Sequence, residues 1–233
     1  MSENKRDQFV NKKILFLQPI VPHYRLAFFD NLSKIYNIKI LVGRDNNNFH
    51  IQERPYIKKV KSITLGKLEY FSIWCELIKF KPNFLITYGE IKQITNILLL
   101  IFSKFLGINI YIWSHGFKNI ELSLVDLIRL VEMKISDGVL FYTKTGYIND
   151  NNKLNKNKVY YLNNTLDINK LIKFKSEIPK KYLKEKYSIN TKINGIFISI
   201  FTKIKSPDLL KELMIRLHNK NQDIRFIIIG HGN

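Results

Sequence analysis

The chain has 233 residues, of which 45% are hydrophobic and 13% aromatic, so a disordered protein is excluded and one large core or two modest ones are expected. Its 38 Lys and Arg residues outnumber the 19 Asp and Glu residues and give a formal net charge of +19. Because only seven of those cations are Arg and Ala27 is the sole alanine, the charge has two open explanations: compositional drift, or a basic surface that attracts anionic lipid, nucleotides or nucleic acid.

The chain opens with a strand, a loop and a helix. Residues 14–18 are a short apolar run closed by Pro19, and residues 26–36 carry apolar side chains at helical spacing. Residues 38–42 then form a second apolar run, which ends at Gly43. Two strands on either side of a helix favour a right-handed parallel crossover.

The same alternation continues as far as residue 142. Its strands are apolar throughout rather than alternating, which is typical of a parallel sheet covered on both faces. The sequence therefore predicts a doubly wound α/β domain. Its remaining elements are predicted at 70–80 (helix), 84–88 (strand), 93–106 (helix), 108–113 (strand), 122–135 (helix) and 138–142 (strand).

The rest of the chain predicts a second unit. A short helix after Thr143 and a strand at 159–162 complete a first, Rossmann-like domain over residues 1–165. Residues 166–192 are rich in lysine and predict a linker. Residues 193–233 predict the incomplete start of another Rossmann-like domain, with a strand at 196–201, a helix from Pro207 to about 219 and a strand at 224–229.

In an open parallel sheet, ligands bind beyond the carboxyl ends of the strands. After the first strand, His23 and Arg25 place an imidazole and a cation at a helix N-terminus, which favours anions. The alternative is a capped turn in which Tyr24 packs on the core. After the strand at 84–88, Glu90 either accepts a hydrogen bond from a substrate hydroxyl or is a solvated acid.

Three further positions follow strands. His115 lies between Ser114 and a glycine that permits close backbone approach to a ligand, although a lone histidine is more often structural. In the second unit, Lys205 precedes a helix, while Gly230 and Gly232 follow the last strand. A lysine and exposed backbone amides at these places are suited to a diphosphate, but a G-x-G pattern alone is weakly specific.

The order of these segments resembles that of glycosyltransferases with the GT-B fold, family 4 type. Segment 21–32 (VPHYRLAFFDNL) is similar to the opening of the acceptor domain in many such enzymes. The other similar segments follow in the family's order: 113–116 (WSHG), 137–143 (DGVLFYT), 163–167 (NNTLD), 205–210 (KSPDLL) and 228–232 (IIGHG).

The resemblance implies two Rossmann-like domains facing across a cleft. It implies a retaining transferase that uses no metal and no cofactor besides its co-substrate, a UDP- or GDP-linked sugar. The acceptor would be a glycan or a lipid-linked molecule of cell-surface polysaccharide or lipopolysaccharide biosynthesis. Residue by residue, His115 would contact the transferred sugar, Lys205 would neutralise the donor diphosphate, and Gly230 and Gly232 would lie near the nucleotide.

On the acceptor side, His23, Tyr24, Arg25 and Glu90 are assigned by their positions after strand ends alone.

The sequence also departs from the family's pattern. Ser199 and Ile200 stand where the family has a Gly-Arg pair, and the two donor-binding glutamates would lie beyond Asn233. We therefore expect little or no transferase activity from this chain alone. It would be a truncated member of the family or one half of a split enzyme that a partner chain completes.

Other classes of function compete with an enzyme. A non-catalytic module could bind the acceptor, or could bind an anionic membrane surface through its lysines on the cytoplasmic side. The single cysteine, Cys75, and the lack of a signal-peptide pattern favour the cytoplasm, and the longest apolar run, 97–102, is too short to span a bilayer. Nucleic-acid binding is disfavoured, because the lysines are dispersed and no recognition motif accompanies them.

Overall fold

The computed structural model describes residues 12–44, 53–117, 123–150, 153–163, 167–189, 193–220 and 224–231. It divides into two compact units, Met1–Asp167 and Ile168–Asn233. Among the described residues, no helix is long and apolar enough to cross a bilayer.

The first unit is built on a seven-stranded sheet in which every neighbouring pair of strands is parallel. The strands follow the order β3-β2-β1-β6-β7-β8-β9 across the sheet. A hairpin of β4 and β5 lies outside it. The strands are β1 (Lys13–Gln18), β2 (Asn37–Val42), β3 (Ile57–Lys59), β4 (Ser62–Leu65), β5 (Leu68–Phe71), β6 (Phe84–Tyr88), β7 (Asn109–Ser114), β8 (Gly138–Phe141) and β9 (Val159–Tyr161).

The helices of the first unit connect these strands. One turn of 3-10 helix, His23–Arg25, leads into the first of them, and another, Lys156–Lys158, precedes β9. The helices are α1 (Leu26–Ser33), α2 (Trp74–Phe80), α3 (Ile94–Leu106), α4 (Leu124–Ile135) and α5 (Lys144–Asp150).

Both faces of the sheet are buried, which explains the continuous apolar runs. Successive residues of β1 point to opposite faces: Leu15 and Leu17 enter one core cluster, whereas Phe16 between them enters the other. The first cluster also takes side chains from α2, α3 and α4, and the second from α1. The predicted α/β fold with a parallel sheet is confirmed.

The predicted helix at 70–80 is wrong in its first part. Residues 68–71 are instead a strand paired antiparallel with β4 across a turn in which Gly66 has a φ of +63°. The helix begins only at Trp74. Apolar residues at 70, 73, 74 and 77 have helical spacing, and that spacing continues from the strand into the helix.

In its described residues, the second unit has a two-stranded parallel sheet and three α-helices. The helix α8 begins with Pro207 at its first position, as predicted. Two helices also occupy the lysine-rich stretch from which the sequence predicted a linker. The elements are α6 (Ile168–Glu177), α7 (Lys180–Lys186), β10 (Ile193–Ile198), α8 (Pro207–Asn219) and β11 (Ile224–Ile229).

The second unit leaves its sheet open. Strand β10 covers residues 193–198 rather than the predicted 196–201, whereas β11 has the predicted bounds. None of the side chains that the structure describes in this unit is fully buried, and Ile196 and Ile198 of β10 are exposed.

One buried hydroxyl joins the hairpin to the helical layer. The Thr95 hydroxyl of α3 accepts a hydrogen bond from the Phe71 amide (2.7 Å) and donates one to the Phe71 carbonyl (3.4 Å). We expect Thr95→Val to lower the free energy of unfolding by about 1–3 kcal/mol, because it leaves a buried amide unpaired. The exposed Thr64→Val in β4 should change it by less than about 0.5 kcal/mol. Urea denaturation measures both, and equal midpoints would contradict this role of Thr95.

Candidate functional site

A cavity of about 370 Å³ opens at the carboxyl ends of the central strands of the first unit. The loops after β1, β2, β6 and β7 line it, and α4 adds the side chain of Arg129. Because all these strands are parallel, their following loops meet at one edge of the sheet. Of the predicted residues, His115 and Glu90 line this cavity.

An aromatic stack holds His115 in place. The imidazole lies on the ring of Tyr142, with centroids 3.9 Å apart and planes 13° apart, and meets Tyr88 edge-on at 6.3 Å. The indole of Trp113 stacks on Tyr142 as well, with centroids 5.0 Å apart. Among the described residues, aromatic contacts hold the histidine in place.

The buried guanidinium of Arg25 belongs to the same cluster. It lies 4.8 Å from the ring centroid of Tyr142 and 5.0 Å from that of Trp113, within the range of cation–π attraction. The 3-10 turn His23–Arg25, in which the Arg25 amide donates to the Pro22 carbonyl, directs this side chain inward. His23 is exposed and Tyr24 half-buried, and neither lines the cavity.

The surroundings keep His115 uncharged near neutral pH. Burial lowers the pKa of its imidazole, and the positive charges of Arg25 and Arg129 lower it further. A neutral imidazole has one donor and one acceptor nitrogen, which suits hydrogen bonding to sugar hydroxyls.

Glu90 reaches the cavity as part of an ion-pair network. Its carboxylate lies 3.2 Å from Nη2 of Arg44, and the same guanidinium binds Glu69 at 2.6 Å. Arg44 also donates from Nε to Oε1 of Glu69 at 2.8 Å. This network tethers two loops at the edge of the cavity and places both signs of charge there.

The donor-side predictions fall in the second unit. Lys205 ends a 3-10 turn after β10 and is exposed, and Gly230 directly follows β11. The Phe201 amide donates to the His231 carbonyl at 2.8 Å and joins the two loops. A Cβ at Gly230 would collide with the Ser199 carbonyl, so only glycine fits there. Gly232 lies outside the described residues, as do residues 164–166 of the NNTLD segment.

Among the residues of this site that were not predicted are Arg44, Tyr88, Arg129 and Tyr142. Arg44 and Tyr88 lie at or just after strand ends, so the rule that selected Glu90 could have selected them. Tyr142 was within a quoted segment but had no role assigned. Arg129 lies in the middle of a helix, where the sequence gives no indication that it reaches a strand end.

Comparison with known proteins identifies the fold. No protein-family model and no curated protein matches this chain. It is similar to the solved structures of UDP-N-acetylglucosamine 2-epimerase from Rickettsia bellii (18% identity, 93% of this chain and 62% of that chain, TM-score 0.56) and from Methanocaldococcus jannaschii (15%, 93% and 65%, 0.55).

A third similar structure is the Neisseria meningitidis UDP-GlcNAc 2-epimerase bound to UDP-GlcNAc (13% identity, 94% of this chain and 64% of that chain, TM-score 0.56). The chain spans less than two thirds of the length of each of these three enzymes. The likeness establishes a GT-B-like fold, which the sequence resemblance had predicted.

The depressed pKa of His115 predicts a pH effect on stability. Below about pH 6.5, the usual histidine value, the unfolded chain binds this proton before the folded chain does. The free energy of unfolding should therefore fall as the pH drops through 6.5 toward the folded pKa, and His115→Gln should remove that part of the slope. NMR titration of the imidazole measures the pKa directly. A midpoint at or above 6.5 would contradict the burial argument.

A buried carboxyl group on α4 predicts the opposite dependence of the free energy of unfolding on pH. Burial raises the pKa of Glu132 to about 7, although Arg129 opposes the shift, and its Oε1 has no hydrogen-bond partner among the described residues. The contribution of the Glu132 carboxyl to stability is therefore fully present below about pH 4.5, and it is lost as the pH rises through 7 because the buried group then becomes charged. Glu132→Gln should therefore gain up to about 3 kcal/mol over the wild type at pH 8. Denaturation curves at pH 5 and 8 measure this, and a difference that does not grow with pH would contradict it.

Proposed function

We propose that this protein is a nucleotide-sugar-dependent glycosyltransferase and that the cavity around His115 receives the transferred sugar. The observation that carries the proposal is the neutral imidazole of His115, stacked on Tyr142 in a polar cavity at the carboxyl ends of the sheet. The GT-B-like fold and the order of segments 113–116, 137–143 and 205–210 support it.

The cavity offers chemistry suited to a sugar ring. A volume of about 370 Å³ is in the range of small-ligand sites. The imidazole of His115 supplies a donor and an acceptor for hydroxyl groups, and Arg129 and Glu90 supply further charged partners at the wall. The rings of Tyr88 and Trp113 give apolar surface for the C–H faces of the sugar.

The donor would be a UDP- or GDP-linked sugar held by the second unit. In the transfer, the bond between the anomeric carbon and the diphosphate oxygen breaks, and a bond from that carbon to the acceptor oxygen forms. The acceptor's proton leaves with the diphosphate. The ammonium of Lys205 would neutralise the charge on the leaving group, and the backbone at Gly230 would leave room for it. This reaction retains the anomeric configuration and uses no metal.

The acceptor would be a glycan or a lipid-linked sugar of cell-surface polysaccharide synthesis. Arg25 would act on it through the aromatic rings that it contacts, as a positioning residue. His23 and Tyr24 lie on the same turn, where they would reach an acceptor larger than the cavity itself.

A nucleotide-sugar 2-epimerase is the second candidate, since the similar structures are enzymes of that name. The two reactions differ at the sugar's C2 carbon. Epimerisation breaks the C2–H bond and exposes that position to exchange with solvent, whereas transfer leaves it intact. Incubation of the chain with UDP-GlcNAc in D₂O, followed by NMR, therefore separates them: deuterium at C2 would favour the epimerase and refute the transferase.

Sugar binding by the first unit can be measured without turnover. We expect saturation-transfer NMR to detect UDP- or GDP-linked sugars on the full chain, and His115→Gln to weaken binding about three- to tenfold, the effect of one or two neutral hydrogen bonds. His218→Gln, an exposed histidine of α8, is the matched control and should leave affinity unchanged. Equal affinity of the His115 variant and the wild type would contradict the proposed site.

A further inference from the structure

Helix α4 is amphipathic, but its charged side faces the protein. Asp126 and Glu132 are only 8% and 5% exposed, and Arg129 between them lines the cavity. The opposite side carries Leu124, which is 80% exposed, and Val131. Globular proteins normally place the apolar side of a surface helix against the core. This helix therefore presents its apolar side to its surroundings.

Contacts with the core and the cavity fix the orientation of α4. Asp126 forms a capping box with Ser123 at the start of the helix. Arg129 donates to Asp126 at 3.1 Å. Met133 on the same side enters the core cluster beneath the sheet. The capping box and the Arg129–Asp126 bond lie within the helix, but rotating it to bury Val131 would withdraw Met133 from the core cluster and Arg129 from the cavity wall.

Helix α3 shows the same feature next to α4. Its buried side includes polar groups that bond to the backbone, such as Asn96, which donates to the Tyr88 carbonyl at 2.7 Å. Its other side carries Ile97, Ile101 and Phe105, one turn apart, and Phe105 is 84% exposed. A helix that is apolar all round is normally covered on all sides. Here one side of it is open.

The two open sides form one surface. The helices contact each other and pack on the same core cluster, so their outward sides are adjacent. We call this surface the outer apolar face and define it by three residues of each helix. They are Ile97, Ile101, Phe105, Leu124, Leu127 and Val131. A contiguous exposed patch of this kind marks an interaction site rather than ordinary surface variation.

The charges around the face indicate its occupant. Helix α3 contains no acidic residue, and both carboxylates of α4 point inward. Lys104 and Lys134 lie in the last turns of the two helices and are exposed, and Lys104 forms an ion pair with Asp137 at 2.7 Å. The six residues of the face include no carboxylate and Lys134 lies near its rim, so the face is complementary to an anionic lipid surface, where a lysine stem lies along apolar material while its ammonium group reaches the headgroups.

A second copy of the chain fits less well. Each copy carries a formal net charge of +19, so two copies repel each other over distances at which an anionic bilayer attracts one. We propose that the outer apolar face inserts into the headgroup boundary of an anionic membrane, with α3 and α4 lying along its plane. This inference does not depend on the reaction that the cavity supports.

Flotation of the full chain with vesicles of phosphatidylcholine containing about 30% phosphatidylglycerol tests the proposal. We expect Ile101→Gln/Phe105→Gln and Leu127→Gln/Val131→Gln each to reduce the vesicle-bound fraction about tenfold or more, since each pair removes two side chains from the apolar boundary. Part of the wild-type binding should survive about 0.5 M NaCl, because apolar insertion is not screened by salt.

The matched control is Ile35→Gln/Leu65→Gln. Ile35 is 56% exposed, close to the 54% of Ile101, but lies beyond α1, and Leu65 is at the hairpin tip. The control should bind vesicles as the wild type does, and thermal melting should find all variants folded, since every changed side chain is exposed. Unchanged flotation of both helix variants would overturn the proposal. So would light scattering that shows a dimer dissociated by the same substitutions, because a second copy would then cover the face.

Discussion

The structure of the first unit depends on a parallel sheet that is buried on both faces. Burial on both faces favours apolar residues along the middle of β1, β6 and β7, so these strands offer few side chains for chemistry along their length. Their loops must carry it, and parallel pairing gathers those loops at one edge. The cavity at His115 follows from this constraint: its polar groups come from strand ends and from one helix, while the layers beneath are hydrocarbon.

Tyr142 joins the core to that cavity. Its ring contacts His115, Trp113 and the guanidinium of Arg25, so one residue just past β8 connects the loops after β1 and β7. Partial burial of the imidazole lowers the pKa of His115, and the positive charge of the buried Arg25 lowers it further because it disfavours a second positive charge beside it.

The sequence predicted the positions of several strands well, but it predicted less well which side chains reach the cavity. The bounds of β6, β11 and α8 agree with the predictions, because apolar runs and a proline at the first helical position mark their ends. The hairpin was missed, since its short, half-exposed strands follow no clear alternation. His115 and Glu90 reach the cavity because the strand-end rule depends only on topology. Arg129 could not be found in that way, because the direction of a helical side chain depends on how the helix packs.

The packing of α4 on the first unit determines which side of the helix faces the cavity and which side is exposed. The helix turns its charges inward, where Arg129 reaches the cavity, and an amphipathic helix that does so must turn its apolar side outward. Helices α3 and α4 follow β6 and β7, so both begin at the edge of the sheet where the cavity lies. Ile97 and Leu124, near those beginnings, place the outer apolar face close to that edge. A bilayer held on this face would lie beside the cavity, within reach of an acceptor whose polar head enters the site while its chain stays in lipid.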